Sequence, residues 1–389
     1  MFTKSHSSRL LLCLLPVLLL MGTGCGVPIQ HEKIDKLEVT IYDGNRKLSA
    51  ADGLEPGIDY KITLRALTAD GKMINDPKVD DLYIECPNKS VEAKIHWALG
   101  KGHFIRVSGD SILLRDKKIR FTIKVKQNPF QGTDVTHPVR WPALSKYVYK
   151  GSDGFNGTDG NDGANGADQS TDLQEEPQNG EGGQAGEHGE RGAHAPNVKI
   201  FATYIRENID GENVRGILYK ISIDGEPARY HYTRGNSISV STIGGHGGEA
   251  GRGGNGGDGG NAVAIDPSSI PEEEHVEGGL GGDGAPGGIG GDGGDGGHVR
   301  LYFYGDVKNH FAFKSIGGRG GAGGDGGAAG LGGKGTTNLL NGDDGRLGAA
   351  GAYGRDGIAG RIEGIPVSKD EILRQFKSVG ILSASIVKN

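Results

Sequence analysis

Three cysteines in 389 residues rule out a disulfide scaffold. Cys13 lies in an apolar leader, which leaves Cys25 and Cys86, and Cys86 sits in the strand-like run Leu82–Cys86, where it reads as a small buried residue. Aromatic residues make up only 6%, too few for one large conventional core to serve the whole chain. Catalytic signatures are also missing. There is no Gly-Lys-Ser/Thr phosphate loop, no G-x-S-x-G, no H-E-x-x-H and no C-x-x-C, and the 12 histidines lack metal-ligand spacing. These absences give the expectation of a non-enzyme with no cofactor and no metal. A basic excess is absent from the chain as a whole, whose net charge is −6: residues 26–150 are mildly basic, with 21 Lys and Arg against 16 Asp and Glu, and residues 151–389 acidic, with 20 against 33. An acidic second half is a poor nucleic-acid ligand, so no nucleic-acid partner is expected.

What is present is glycine, 73 residues of it. It recurs every third residue and holds one phase through Gly245, Gly248, Gly251, Gly254, Gly257 and Gly260. The phase holds again through Gly278, Gly281, Gly284, Gly287, Gly290, Gly293 and Gly296, and through Gly318, Gly321, Gly324, Gly327, Gly330 and Gly333. Gly342 to Gly360 forms a further run, and two weaker ones precede, Gly151 to Gly166 and Gly180 to Gly192. Period 3 belongs neither to an α-helix nor to a strand but to an extended left-handed helix of three residues per turn, rising about 3.1 Å per residue. In such a helix the glycines form a bare column against which another backbone can lie. The first, second and last runs are Gly-x-x, with one bare column. The middle three are mostly Gly-Gly-x, with two, and suit interior positions.

The expectation is a bundle of about six such helices, with backbones in contact inside and a solvated polar surface outside, some 60 Å long for a run of seven glycines. A collagen-type triple helix shares the period and stands as the alternative, although Pro286 is the one proline inside a run and collagen composition calls for roughly 15–20%. A flexible linker has no reason to keep register. A calcium β-roll requires a large apolar residue where Gly259, Gly260 and Gly327 stand. The aspartates Asp283, Asp292 and Asp295 read as an acidic ridge in water.

The flanking segments divide the chain. Residues 1–25 read as a signal peptide: Lys4 and Arg9, then an apolar run from Leu10 to Met21. Gly22-Thr23-Gly24-Cys25 resembles the lipobox of bacterial lipoproteins, with Gly22 where that pattern has Leu. The resemblance implies acylation of Cys25 and a membrane anchor, and Gly26 at the next position points to the outer membrane; of its two faces the cell surface is expected ahead of the periplasmic one. Residues 26–35 read as a tether. Residues 36–127 read as an immunoglobulin-like β-sandwich, with alternating strands that include 111–115. Asp110-Ser111-Ile112 resembles a short bacterial O-glycosylation sequon, with Ser111 the acceptor. Residues 128–150 read as a proline-containing connector. Within 151–360, residues 196–243 read as a four-stranded antiparallel insert whose Tyr219, Tyr230 and Tyr232 either pack the sheet or contact a partner. Each run is expected to end in a strand, Ala262–Ile265 among them. Residues 361–389 read as a helix opened by the capping box Ser368 to Glu371, then a strand over Ile381–Val387.

The fold class expected is therefore mainly β plus a polyglycine-II helix bundle, with β insertions and a short C-terminal helix. Residues 151–360 resemble polyglycine-II sandwich proteins, such as phage tail-fibre tip adhesins, and collagen-like glycine-rich lipoproteins of bacterial envelopes. The resemblance implies a structural or adhesin-like role toward a protein or glycan partner. The other reading is an accessory subunit of an outer-membrane transport, secretion or assembly complex built on a β-barrel.

Overall fold

The computed structural model describes residues 27–29, 31–92, 95–98, 102–115, 117–170, 175–209, 211–235, 237–264, 275–381 and 385–387. Cys25 and the rest of the leader lie outside them. Strand outweighs helix, 34% to 8%, so the protein is mainly β. It divides into two compact units, Met1–Arg140 and Trp141–Asn389.

The first unit holds β1 (Ile34–Asp43), β2 (Arg46–Lys47), β3 (Asp59–Thr68), β4 (Met73–Asn75), β5 (Leu82–Glu85), β6 (His96–Ala98), β7 (Gly102–Arg106), α1 (Ser111–Leu114), β8 (Ile119–Val125) and β9 (Thr133–His137). One antiparallel sheet runs β2-β1-β3-β7-β6, with β4 also on β3, and a second runs β5-β8-β9. Alternation places Tyr60, Ile62, Leu64 and Ala66 of β3 and Ile119, Phe121, Ile123 and Val125 of β8 on buried faces. Cys86 is half-buried, its thiol 3.3 Å from the carbonyl of Arg120. Two expectations fail here. Residues 111–115 are not a strand, because the Asp110 carboxylate accepts the N–H groups of Ile112 and Leu113 and caps a helical turn at Ser111. Residues 128–150 are not a connector either: Thr133–His137 pairs with β8, and Leu144–Lys150 is a strand of the other unit.

That second unit contains β10 (Leu144–Lys150), β11 (Val198–Ile209), β12 (Glu212–Ile223), β13 (Arg229–Thr233), β14 (Ser237–Ile243), β15 (Val299–Tyr304), β16 (Phe311–Ile316), β17 (Ile362–Pro366), α2 (Lys369–Phe376) and β18 (Ile386–Val387). The segment 196–243 does not form one antiparallel sheet. β11, β12 and β13 do pair that way, but β14 lies in parallel between β10 and β16 in a separate sheet. β11 pairs in parallel with β15, and β15 with β17. Val198, Ile200, Tyr219, Ile238, Val240 and Leu301 form one core between the two sheets. Ser368 caps α2 through the N–H of Glu371, and α2 buries Ile372 and Phe376. Of the strand expected over Ile381–Val387, only Ile386–Val387 pairs, with β11, and residues 382–384 lie outside the described residues.

The glycine runs attach to these sheets in a regular way. β10, β14 and β16 lead directly into the first, third and fifth runs, over residues 151–169, 244–262 and 317–335. The second, fourth and sixth runs, over 178–197, 277–298 and 342–361, lead into β11, β15 and β17. Runs therefore alternate between starting from a strand and ending in one. Ala262 is no strand: its N–H bonds the carbonyl of Lys334, the last rung of the third run.

Candidate functional site

The runs themselves are the feature without a counterpart in ordinary domains. They carry neither helix nor strand, so their backbone groups must find partners elsewhere. Those partners are other runs. Gly151 donates its N–H to the carbonyl of Ile243 at the end of β14, at 2.9 Å, and each later glycine of the first run, from Gly154 to Gly166, donates to a carbonyl of the third, so the parallel β10–β14 ladder continues past the end of the strands. The third run donates likewise to the fifth, the second to the fourth and the fourth to the sixth. Antiparallel bonds join consecutive runs: Ala193 to Ser152, Gly245 to Ala193, Gly294 to Gly245, Gly318 to Gly294 and Gly357 to Gly318, all at 2.8–2.9 Å. Runs one, three and five thus make one row, two, four and six another, and bonds zigzag between the rows.

Runs three and four each face four others, which is why they need two bare columns. A Cβ built at Gly256 would lie 1.9 Å from the carbonyl oxygen of Gly282, and one at Gly257 would lie 2.0 Å from that of Ala164. Neither oxygen can give way, since both belong to backbone that is itself bonded.

The third column is not idle. In the third run Gly-Gly-x leaves one N–H per triplet without a carbonyl, and a side chain takes it. In the first run Asp153, Asn156, Asp159, Asp162, Asn165 and Asp168 accept from the N–H groups of His246, Glu249, Arg252, Asn255, Asp258 and Asn261, at 2.7–2.9 Å. As a result every N–H from Gly244 to Ala262 donates a hydrogen bond. The same ladder serves other pairs of runs. His188 and His194 accept through Nδ1 from Ile289 and Asp295, and Asn255 and Asp258 accept from Ala328 and Leu331. The acceptor is Oδ1 or Nδ1, one bond beyond Cγ in all three residue types, so Asp, Asn and His are interchangeable by reach. A histidine accepting at Nδ1 carries its proton on Nε2. Pro286, which has no N–H to satisfy, falls in the register opposite Ala185, which has no acceptor.

This corrects the reading of the outer columns as merely solvated. Asp283, Asp292 and Asp295 are not a free acidic ridge, because each binds a backbone N–H of the sixth run, at Arg346, Arg355 and Ile358. Among the described residues no group of three or more His, Cys, Asp or Glu is placed to hold a metal ion. The Asp153 carboxyl is held below the usual carboxylate range by the Lys150 ammonium and then by the His246 N–H, and that of Glu187 by the Thr158 hydroxyl and then by the Thr158 N–H.

The tyrosines divide. Tyr219 and Tyr232 are 1% and 2% exposed, so they pack the sheet core and are beyond a partner's reach. Tyr219 shares a 2.8 Å hydrogen bond with the Tyr147 hydroxyl and stacks on His231, and burial pushes both phenols up. Tyr230 is half-buried, its hydroxyl accepting from Ser378. Ser111 opens α1. A cleft of about 280 Å³ in the same unit is lined by Tyr204, Arg215, Ile217, Arg234 and His310, where Arg215 lies over the Tyr204 ring at 3.5 Å and His310 is 3.0 Å from the Tyr204 hydroxyl.

The acceptor ladder was open to sequence reading. In the first run Asp or Asn follows each glycine by two residues from 153 to 168 without exception. No family model, no curated protein and no solved structure matches this chain.

Proposed function

We propose that this is a non-catalytic lipoprotein of the outer membrane, anchored through acylated Cys25 on the cell-surface face. In this reading the first unit is an immunoglobulin-like spacer. The six runs are polyglycine-II helices whose sandwich serves as a stiff platform for binding a protein or glycan. The observation that carries the proposal is the complete set of N–H bonds from Gly244 to Ala262. Such bonding converts glycine from the most disordering residue into a rigid one. The topology adds a functional direction. Because odd runs leave the sheets and even runs return, the ends of the first, third and fifth runs and the starts of the second, fourth and sixth all fall remote from the sheets, and the connection at 336–341 lies there. That connection carries Leu339, 96% exposed and the most exposed large apolar side chain among the described residues. A platform that leaves a loop with an apolar residue in water at its far end suits presentation to a partner.

Detergent extraction from membranes followed by intact-mass measurement tests the anchor. The expected product begins at Cys25 and carries acyl chains, and Cys25→Ala is expected to leave the membrane fraction. An unmodified, soluble product from the parent chain would overturn the anchor. Affinity purification of the extracted protein tests the role. A free lipoprotein that binds glycan or matrix through 336–341 supports the adhesin reading, and a stoichiometric β-barrel partner would replace it with an accessory subunit.

A further inference from the structure

The acceptor ladder between the fifth and sixth runs has a gap. Their antiparallel register sets Gly335 opposite Asn341, Gly332 opposite Asp344 and Gly320 opposite Asp356, and in each pair the side chain accepts the glycine N–H, at 3.1, 2.8 and 2.8 Å. Between these rungs the same register sets Ala329 opposite Leu347, Gly326 opposite Ala350 and Gly323 opposite Tyr353. None of these three side chains offers an acceptor at that distance from the backbone. The N–H groups of Gly323, Gly326 and Ala329 accordingly make no hydrogen bond among the described residues, and all three residues are partly exposed. Leu347 and Tyr353 stand beside them, 78% and 79% exposed.

The window therefore holds three N–H groups of the fifth run with no acceptor on the side chains opposite them, and two large apolar side chains. At about 3.1 Å per residue the donors repeat about every 9 Å, and the window is some 19 Å long. Every third carbonyl of an extended three-residue-per-turn chain repeats at the same pitch. We propose that this seam is a docking groove for a proline-rich segment of a partner protein in the polyproline-II conformation, six or seven residues long. Proline fits on three counts. It keeps its carbonyl for the waiting donors and has no N–H to strand against Leu347 and Tyr353. Its ring packs on an aromatic side chain, and its conformation is set before binding, which lowers the ordering cost. A second copy's glycine run is the weaker fit, because it has no ring to pack on Tyr353 and a glycine chain is costlier to order than one whose conformation is set before binding. The inference rests on the register of the two runs and does not depend on the membrane anchor.

The test uses the purified full chain and a fluorescein-labelled (Pro-Pro-Ala)4 peptide, read by anisotropy. Saturable binding is expected, with slowed amide exchange at Gly323, Gly326 and Ala329. Ala350→Asp restores an acceptor opposite Gly326 and fills the gap, so it is expected to weaken binding at least tenfold while the melting temperature holds or rises. Tyr353→Ser is a second variant with the same expected loss and no new charge, and Leu331→Ala, outside the window, is expected to bind as the parent does. No saturable binding by the parent chain would overturn the proposal, as would equal binding by Ala350→Asp and Tyr353→Ser. So would a concentration-dependent dimer in sedimentation that Ala350→Asp dissolves in the absence of peptide binding.

Discussion

The two units solve the folding problem with opposite materials. The first hides side chains: Tyr60, Ile62, Leu64, Phe121 and Ile123 are each at most 1% exposed, and burial of one such side chain contributes about 1.5–3 kcal/mol. The third run of the second unit has almost no side chain to hide. It orders glycine, which costs roughly 0.5–1 kcal/mol more per residue than ordering alanine, and offsets that with a hydrogen bond at every N–H, each contributing on the order of 0.5–1.5 kcal/mol net. One unit depends on apolar volume and the other on its absence. A core loses stability when atoms are removed, and the glycine lattice loses it when atoms are added.

The largest effect should come from inverting that rule. Gly257→Val places a side chain against the Ala164 carbonyl, and the overlap is expected to cost about 3 kcal/mol or more, because displacing that oxygen also breaks its neighbours' bonds. Hydrogen exchange should show protection lost across the first, second, third and fourth runs and kept in β3 and β8. The mirror experiment is Ile123→Ala, expected to cost about 2–5 kcal/mol in the first unit while the runs stay protected. If Gly257→Val is tolerated as a surface substitution would be, the contrast between the units is lost.

A smaller effect separates the two components of the lattice, backbone acceptors and side-chain acceptors. Asp162→Ala strips the Asn255 N–H of its partner at a rim open to water, so a loss of about 1 kcal/mol is expected. Asp162→Asn keeps Oδ1 and should fall within about 0.5 kcal/mol of the parent. Amide exchange at Asn255 is the direct readout: faster in the alanine variant, unchanged in the asparagine variant. Equal behaviour of the two would reduce the ladder to ordinary solvated side chains.

How much of this was legible in the sequence depends on what each residue answers to. The runs were legible because a bare column has a strict period, and Gly-Gly-x pointed to the interior because a second approaching backbone needs a second bare column. The alternation of β3 and β8 was legible for the analogous reason at period 2. Residues 111–115 misled because Ile112, Leu113 and Leu114 look equally apolar in either element, and the single carboxylate of Asp110 decides. β14 was misassigned because its partners, β10 and β16, lie far from it in the chain and announce themselves only through the runs they feed. The sequence leaves Tyr219 and Tyr232 open between packing the sheet and meeting a partner, and packing holds, because a sheet core draws in the few rings within reach. The Asp and Asn column was plainly periodic, yet its meaning required knowing which run lies alongside, and that partner is some 90 residues away in sequence.

The smallest effect concerns charge on the same ladder. The Asp153 carboxyl is easier to ionise in the folded chain than in the unfolded one, because the Lys150 ammonium and the His246 N–H both favour its charged form, and the Thr158 hydroxyl and then the Thr158 N–H do the same for Glu187. A group of this kind contributes stability that is fully present above its unfolded pKa, about 3.9 for Asp and 4.3 for Glu, and that is lost as pH falls through the lower folded value. The second unit's melting temperature should therefore hold near neutral pH and decline from roughly pH 4 downward. Both carboxyls face water, so salt should flatten the decline. Asp153→Asn separates the two roles of one side chain: it keeps the acceptor for His246 and removes the titration. The expected result is a melting curve close to the parent's at neutral pH with a shallower acid slope. Asp153→Asn melting well below the parent at neutral pH would mean that charge, and not the hydrogen bond, holds the rim. That outcome would place the edge of the lattice under electrostatic rules distinct from those of its interior.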